Sequence, residues 1–212
     1  GRPGSAHIGL PIDVQRGAVD PDAIWADHNY GYFPAYPSAP DTANVEQALS
    51  AIQSASFPVV ICGGGIILAS GEEEFQRFVE SLDIAVATTI SGQGTISEQH
   101  PNCVGVVGSN GGVPATRDLI NMADLVVFIG CRAGSVTTEL WRYPSKNTRI
   151  VHIDSDPAVI SASYETEVAI VSDARLALAA MNKLLSTDPP NGTGFGGAQA
   201  VAIQKKIKWD AF

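Results

Sequence analysis

From residue 41 onward, apolar runs alternate with segments whose apolar residues have helical spacing. The runs lie at residues 58–62, 84–87, 124–129, 149–153 and 168–171. Runs that are apolar throughout are typical of parallel strands buried on both faces. The helical spacing is seen at 41–52, 75–82, 113–122 and 173–184. The alternation predicts an α/β fold that is doubly wound (Rossmann-like). We expect a mostly parallel sheet of about six strands with helices on both faces.

The two ends of the chain depart from this alternation. Residues 6–10 alternate and stop at Pro11, which predicts a short strand with no partner nearby in sequence. Residues 16–40 carry four prolines among three tyrosines and a phenylalanine, and this composition predicts an extended linker. Residues 187–212 begin with a Gly/Pro-rich exit and continue with helical spacing over 198–209. The Rossmann-like domain itself is therefore expected over residues 41–186.

Composition excludes several classes of function. The chain has 212 residues and a net charge of −9, without the basic stripe that a nucleic-acid partner requires. No signal peptide and no apolar run of about 20 residues is present, so we expect a cytoplasmic protein and no membrane span. Cys62, Cys103 and Cys131 lie far apart without a Cys-x-x-Cys pair, which indicates a reducing compartment. Cys62 and Cys131 end or follow apolar runs and are interpreted as small buried residues.

Glycine-rich turns follow several of the predicted strands. They are Gly63-Gly64-Gly65, Ser91-Gly92-Gln93-Gly94, Gly108 to Gly112, and Gly130 ahead of Arg132. Ligands of doubly wound sheets bind beyond the carboxyl ends of the strands, where glycine permits close approach and positive φ. The spacing differs from G-x-G-x-x-G, and a tight turn is the alternative explanation of the three glycines. The set as a whole favours a nucleotide-shaped crevice.

Two charged residues follow the later strands. Arg132 is placed to stack on an adenine or pair with a phosphate, or else to cap a loop. Asp154 is placed to accept a bond from a ribose hydroxyl, or else to cap a helix that starts at Pro157.

No catalytic constellation stands out in the sequence. The four histidines are scattered, Ser91 and Ser109 lack a G-x-S-x-G context, and no metal-ligand spacing appears. Glu72-Glu73-Glu74 is interpreted as the solvated first turn of a helix.

An ordered set of motifs resembles one known family. The set comprises residues 1–14, Cys62 to Gly65, Thr88 to Gly94, Ala123 to Leu125 with Gly130, His152 to Pro157, and Ser172 to Ala174. In this order the motifs resemble the central domain of acetolactate-synthase-like enzymes that depend on thiamine diphosphate. The resemblance implies that residues 1–15 close a pyrimidine-binding domain and that residues 187–212 lead toward a diphosphate-binding domain.

The resemblance also implies what the parent enzyme does. It implies a transferase or lyase acting on 2-oxo acids with thiamine diphosphate and Mg²⁺, and a homo-oligomer. The family's catalytic Glu would precede residue 1, and its Gly-Asp-Gly…Asn motif would follow residue 212. This chain is then a non-catalytic scaffold, inactive alone, whose partners are the flanking domains.

In acetolactate synthases the central domain holds FAD, and other relatives hold ADP or nothing in this crevice. The positions that match these contacts are Gly63, Gly64, Gly65, Thr89, Arg132, Asp154 and Asp173. Two departures stand out: Gly134-Ser135-Val136 replaces an Asp-Asp-Arg, and Ser109-Asn110 replaces a Met-His. The alternatives are a stand-alone nucleotide-binding protein, such as an NAD-dependent dehydrogenase, and a purely structural assembly module.

Overall fold

The computed structural model describes the backbone of residues 4–187 and 194–210 and the side chains of 4–187 and 194–206. Residues 1–3 and 188–193, parts of the predicted amino-terminal strand segment and of the predicted exit, lie outside the described residues. Six parallel strands form one sheet in the order β3-β2-β1-β4-β5-β6. They are β1 (Pro58–Cys62), β2 (Ala85–Thr88), β3 (Cys103–Val106), β4 (Leu125–Ile129), β5 (Arg149–Asp154) and β6 (Val168–Val171). The predicted doubly wound α/β fold is confirmed.

Helices cover both faces of the sheet. They are α2 (Thr42–Gln53), α4 (Glu72–Leu82) and α6 (Ala174–Thr187) on one face, and α5 (Pro114–Met122) and α7 (Gly197–Asp210) on the other. Two further helices have one turn each: α1 (Ile12–Gln15), which has no buried residue, and α3 (Gly65–Leu68). Short 3₁₀ turns lie at Pro21–Ala23, His28–Gly31 and Ile90–Gly92. Because successive strand residues point to opposite faces, Val60 and Val127 pack with α2, α4 and α6, whereas Val59 and Val126 pack with α5 and α7. Each face thus has its own hydrophobic core.

Aspartate residues cap the starts of helices α2 and α6. The Asp41 carboxylate accepts bonds from the backbone N–H groups of Ala43 and Asn44 at the start of α2. At the start of α6, Asp173 accepts a bond from the Leu176 N–H, with 3.1 Å between nitrogen and oxygen. Because Asp173 follows β6 directly, this cap also fixes its place at the carboxyl edge of the sheet.

Strand β3 lies outside the predicted set of runs. It is the edge strand, it is only four residues long, and its register against β2 shifts between Val86 and Ala87. Gly105 adopts a φ of 110°, and half of the strand is only partly buried. Such a strand has neither a long apolar run nor a clean alternation, so its sequence resembles that of a loop.

The predicted strand at residues 6–10 is wrong as a structural element of this chain. These residues form no strand, and their side chains are exposed. A strand requires a neighbour for its backbone hydrogen bonds, and no described strand of this chain lies beside them. The assignment of residues 1–15 to a pyrimidine-binding domain stays a prediction.

The predicted carboxyl-terminal helix is present and packs on the sheet. Helix α7 contacts β2, β3 and α5, and the buried side chain of Val201 belongs to the core on that face. The Gly197 N–H donates to the Asp83 carbonyl oxygen at 2.7 Å. Helix α7 therefore packs against the sheet and α5, and the assignment of residues 187–212 to a connection toward another domain stays a prediction. No helix among the described residues is long and apolar enough to cross a membrane.

Candidate functional site

A cleft of about 740 Å³ opens at the carboxyl edge of the sheet. The chain runs from β1 toward β2 and β3 on one side, and through β4, β5 and β6 on the other. Strands β1 and β4 are neighbours, so the strand order reverses between them. Such a switch point is where doubly wound sheets bind their ligands. The cleft volume lies within the range of small-molecule sites.

The structure brings all seven predicted site residues together at this cleft. They come from the ends of five strands: Gly63, Gly64 and Gly65 after β1, Thr89 after β2, Arg132 after β4, Asp154 at the end of β5 and Asp173 after β6. The residues that replace the Asp-Asp-Arg of the flavin-binding pattern, Gly134, Ser135 and Val136, also line it. A charged stretch of that pattern is therefore neutral here.

The three glycines after β1 are required by packing within the protein. A Cβ at Gly63 would lie 2.1 Å from the Gly130 carbonyl oxygen, and one at Gly65 would lie 2.6 Å from the Gly130 Cα. The Gly63 and Gly65 N–H groups donate to the carbonyl oxygens of Ile129 and Gly130. None of the three has a positive φ, whereas Gly130 has one of 57°. The structure therefore favours the tight-turn explanation of these glycines.

Helix α3 begins inside this triplet. Ile66 follows with its side chain fully buried, which turns the chain back over the sheet. The structure shows a single helical turn over Gly65–Leu68. The turns that follow β1 and β4 therefore pack closely against each other at the cleft.

Arg132 extends from the β4 turn into an exposed position at the cleft. The preceding residue, Cys131, is buried, and burial raises the pKa of its thiol to about 12. Burial likewise raises the pKa of the Cys62 thiol to about 12. Both thiols are protonated at neutral pH, so they act as small buried side chains rather than as nucleophiles.

His152 holds the β4 turn from the neighbouring strand β5. Its side chain is 2% exposed, and its Nε2 lies 2.8 Å from the Cys131 carbonyl oxygen. A carbonyl only accepts hydrogen bonds, so Nε2 donates. Burial lowers the pKa of His152 and outweighs the Cys131 bond and the charge of Asp154, which both act to raise it.

The depressed pKa of His152 predicts a loss of stability in mild acid. Between the folded pKa and the ordinary value of 6.5, the unfolded chain binds a proton that the folded chain does not. We expect the free energy of unfolding, from urea titrations, to fall as the pH drops from about 7 to about 5.5, and His152→Gln to reduce this slope. His28→Gln is the control, since the His28 side chain is 87% exposed. Equal slopes for wild type and His152→Gln would contradict the prediction.

Asp154 accepts a bond from the Asp156 N–H at 2.9 Å, and the Asp156 carboxylate accepts one from the Ala158 N–H. These successive side-chain turns compete with helix formation, and residues 155–164 form turns only. The alternative that Asp154 caps a helix starting at Pro157 is therefore wrong. Asp154 remains at the cleft, together with Asp173 and Arg132.

Part of the cleft wall comes from a segment that the sequence presents as a linker. Phe33, Pro34, Pro37 and Ser38 line the cleft. The Ser38 carbonyl oxygen accepts bonds from the Ser172 hydroxyl and the Asp173 N–H, both at 3.0 Å. The density of aromatic residues and prolines over residues 30–37 was the only sequence signal of this wall.

Other sequence candidates lie elsewhere. Ser109 and Asn110, which replace a Met-His of the family pattern, do not line the cleft, although the Ser109 N–H donates to the Val136 carbonyl oxygen at 2.9 Å. Among the described side chains, no group of three or more His, Cys, Asp and Glu is arranged to hold a metal ion.

Comparison with known proteins agrees with this architecture. The family model described as "Thiamine pyrophosphate enzyme, central domain" matches residues 45–181. A probable acetolactate synthase large subunit from Methanococcus aeolicus is 39% identical over 188 residues, 87% of this chain and 31% of that protein. The acetolactate synthase large subunit of Corynebacterium glutamicum is 37% identical over 88% of this chain and 29% of its own length.

A probable large subunit from Methanocaldococcus jannaschii is 35% identical over 82% of this chain and 30% of that protein. The chain thus spans about three tenths of the length of these relatives. The residues matched by the family model, 45–181, contain all six strands of the sheet. The chain therefore belongs to the family of central domains of thiamine pyrophosphate enzymes, of the acetolactate synthase-like kind.

Proposed function

We propose that this chain is the non-catalytic central domain of a thiamine-diphosphate-dependent transferase or lyase acting on 2-oxo acids, and that its cleft binds an adenine nucleotide, ADP or FAD. One observation supports the proposal that the cleft binds a nucleotide. Seven residues chosen from the sequence converge, from five strand ends, on one cleft at the switch point of the sheet. Parallel sheets bind nucleotides at this place.

The parent's chemistry is proposed from its relatives. The proteins that this chain resembles are named acetolactate synthases, and the chain corresponds to less than a third of each. In the proposal, the thiamine diphosphate and Mg²⁺ bind in other domains of a cytoplasmic homo-oligomer. This chain contributes a rigid support and the cleft.

Arg132 is the residue proposed to hold the nucleotide's phosphates. The N–H groups of Gly63 and Gly65 already donate to carbonyl oxygens of the β4 turn, so they are not available to a phosphate. Arg132 places an exposed guanidinium at the same turn, and a guanidinium forms charge-assisted pairs with phosphate oxygens. The glycines then contribute by shape, because side chains there would clash with the protein itself.

The two carboxylates are proposed to receive the sugar hydroxyls. Asp154 and Asp173 end neighbouring strands and line the cleft. The Asp154 carboxylate accepts a bond from the Asp156 N–H, and the Asp173 carboxylate accepts one from the Leu176 N–H. Each bond fixes the orientation of its carboxylate, and a carboxylate has enough acceptor sites to bind a hydroxyl as well.

A second role, assembly, is supported by the amino-terminal segment. Seven large apolar side chains between residues 8 and 25 are each more than half exposed: Ile8, Leu10, Ile12, Val14, Val19, Ile24 and Trp25. Large apolar side chains that are exposed in such number are typical of a segment that contacts another protein surface. We propose that this segment packs against the pyrimidine-binding domain of the parent protein.

The nucleotide proposal predicts measurable binding that depends on Arg132. Calorimetric titration of the chain with ADP and with FAD is expected to show saturable binding. Arg132→Ala is expected to weaken it about ten-fold or more, because a charge-assisted bond is lost. Arg142→Ala is the matched control, since Arg142 is exposed on the same loop but does not line the cleft.

Two outcomes would overturn this assignment. Absence of binding of both ADP and FAD to the wild-type chain would remove the nucleotide role. Equal affinities of the Arg132→Ala and Arg142→Ala variants would show that the phosphates are held elsewhere.

A further inference from the structure

The segment from Asp27 to Ser38 is folded against the cleft rather than extended away from it. The Asp27 carboxylate accepts bonds from the Tyr36 hydroxyl and the Asn29 N–H. The rings of Tyr30 and Tyr36 meet edge to face, with 5.9 Å between their centroids. The segment therefore has an internal structure of its own.

Its far end is fastened to the sheet. The Ser38 carbonyl oxygen accepts two hydrogen bonds from the β6–α6 junction, one from Ser172 and one from Asp173. Both donor residues are buried, with exposures of 0% and 6%. Asp173 also lines the cleft and caps α6, so the linker is tied to a rigid part of the site.

This arrangement places one aromatic ring at the cleft. Phe33 is the single aromatic side chain among the described residues that line it. The ring is 47% exposed, although an apolar side chain of this size gains by being buried. A partly exposed ring in a cleft that is also lined by Arg132, Asp154 and Asp173 is a surface on which a planar heterocycle stacks favourably.

We propose that Phe33 is a specificity-determining residue of the cleft, its ring stacking on the planar ring system of the nucleotide. This inference rests on the nucleotide-binding function proposed above. Phe33 selects for the ring, and Arg132 binds the phosphates. The linker is thus a part of the binding site, supplied from outside the Rossmann-like domain.

The test is a series of four variants titrated with ADP by calorimetry in the full 212-residue chain. Phe33→Ala removes the ring, Phe33→Leu keeps apolar bulk without a ring, and Phe33→Trp keeps a ring. Tyr32→Ala is the control, because Tyr32 is adjacent and 73% exposed but does not line the cleft. Circular dichroism shows whether each variant is folded.

We expect Phe33→Ala and Phe33→Leu to weaken ADP binding about ten-fold, the loss that follows removal of one stacking partner of a base. Phe33→Trp and Tyr32→Ala are expected to bind as the wild type does. Wild-type affinity in Phe33→Leu would show that bulk suffices and would overturn the stacking role.

The failures of the two proposals are distinguishable. If Arg132→Ala loses affinity while Phe33→Ala does not, the stacking inference fails and the nucleotide function stands. If the wild-type chain binds no ADP, both fail.

Discussion

Replacing Gly63 by alanine is expected to destabilise the domain by about 3 kcal/mol, the upper part of the range for overpacked sites. The added Cβ would lie 2.1 Å from the Gly130 carbonyl oxygen and 2.8 Å from the Cys131 Cα. Both are backbone atoms, so no side-chain rotation relieves the clash. The turns after β1 and β4 would have to separate, which would break the hydrogen bond from the Gly63 N–H to the Ile129 carbonyl oxygen at 2.9 Å.

Gly134→Ala is the matched control for this substitution. Gly134 lines the same cleft, and a Cβ there would meet no atom within 4 Å. Urea titrations are expected to show a lower midpoint for Gly63→Ala and a midpoint near that of the wild type for Gly134→Ala. A Gly63→Ala midpoint equal to that of the control would mean that the two turns are not tightly packed.

This contrast between glycines shows what the sequence could and could not reveal. The five apolar runs were sufficient to predict the sheet, because a strand buried on both faces is apolar at every position. The reason for the glycines was not visible, since Gly63 meets Gly130, which is 67 positions away in the chain. A close approach of two backbones is a property of the folded chain, and the glycine triplet by itself is equally consistent with a ligand contact.

The residues of the candidate site likewise include some that the sequence could predict and some that it could not. The residues at strand ends, such as Thr89 and Arg132, could be predicted because parallel strands bring their carboxyl ends to one edge. The position of Phe33 in the cleft could not be predicted. The linker folds over the cleft through hydrogen bonds between Ser38 and the β6–α6 junction, which is far away in the chain. Edge strand β3 was missed for a related reason: its irregular pairing relaxes the pattern that marks buried strands.

The second large effect is expected at Asp83, which connects three distant parts of the chain. It ends α4 in the left-handed conformation, with φ of 44° and ψ of 49°. Its Oδ1 accepts bonds from Asn102 Nδ2 at 2.7 Å and from the Ala198 N–H at 3.0 Å. The Gly197 N–H donates to its carbonyl oxygen. Asp83 therefore fastens the start of α7 to the end of α4.

Asp83→Ala is expected to lower the free energy of unfolding by about 3 kcal/mol. The left-handed conformation costs about 1 kcal/mol for a residue without a polar side chain. Loss of the carboxylate removes one of the two hydrogen bonds of the buried Asn102 amide, which keeps its bond to the Ile84 carbonyl oxygen, and removes the acceptor of the Ala198 N–H in the first turn of α7. Each lost bond adds about 1 kcal/mol. Asp83→Asn is the control, because asparagine tolerates this conformation and keeps an acceptor oxygen.

Amide hydrogen exchange separates this local fastening from a general loss of stability. In Asp83→Ala, the amides of α7 are expected to lose protection before those of β1 and β4, because the Ala198 N–H at the start of α7 loses its carboxylate acceptor and only the bond from the Gly197 N–H to the main-chain carbonyl oxygen of residue 83 remains there. In Asp83→Asn, α7 is expected to stay protected. If α7 and the central strands lose protection together, then α7 is held by its packing on β2, β3 and α5 alone, and Asp83 has no fastening role.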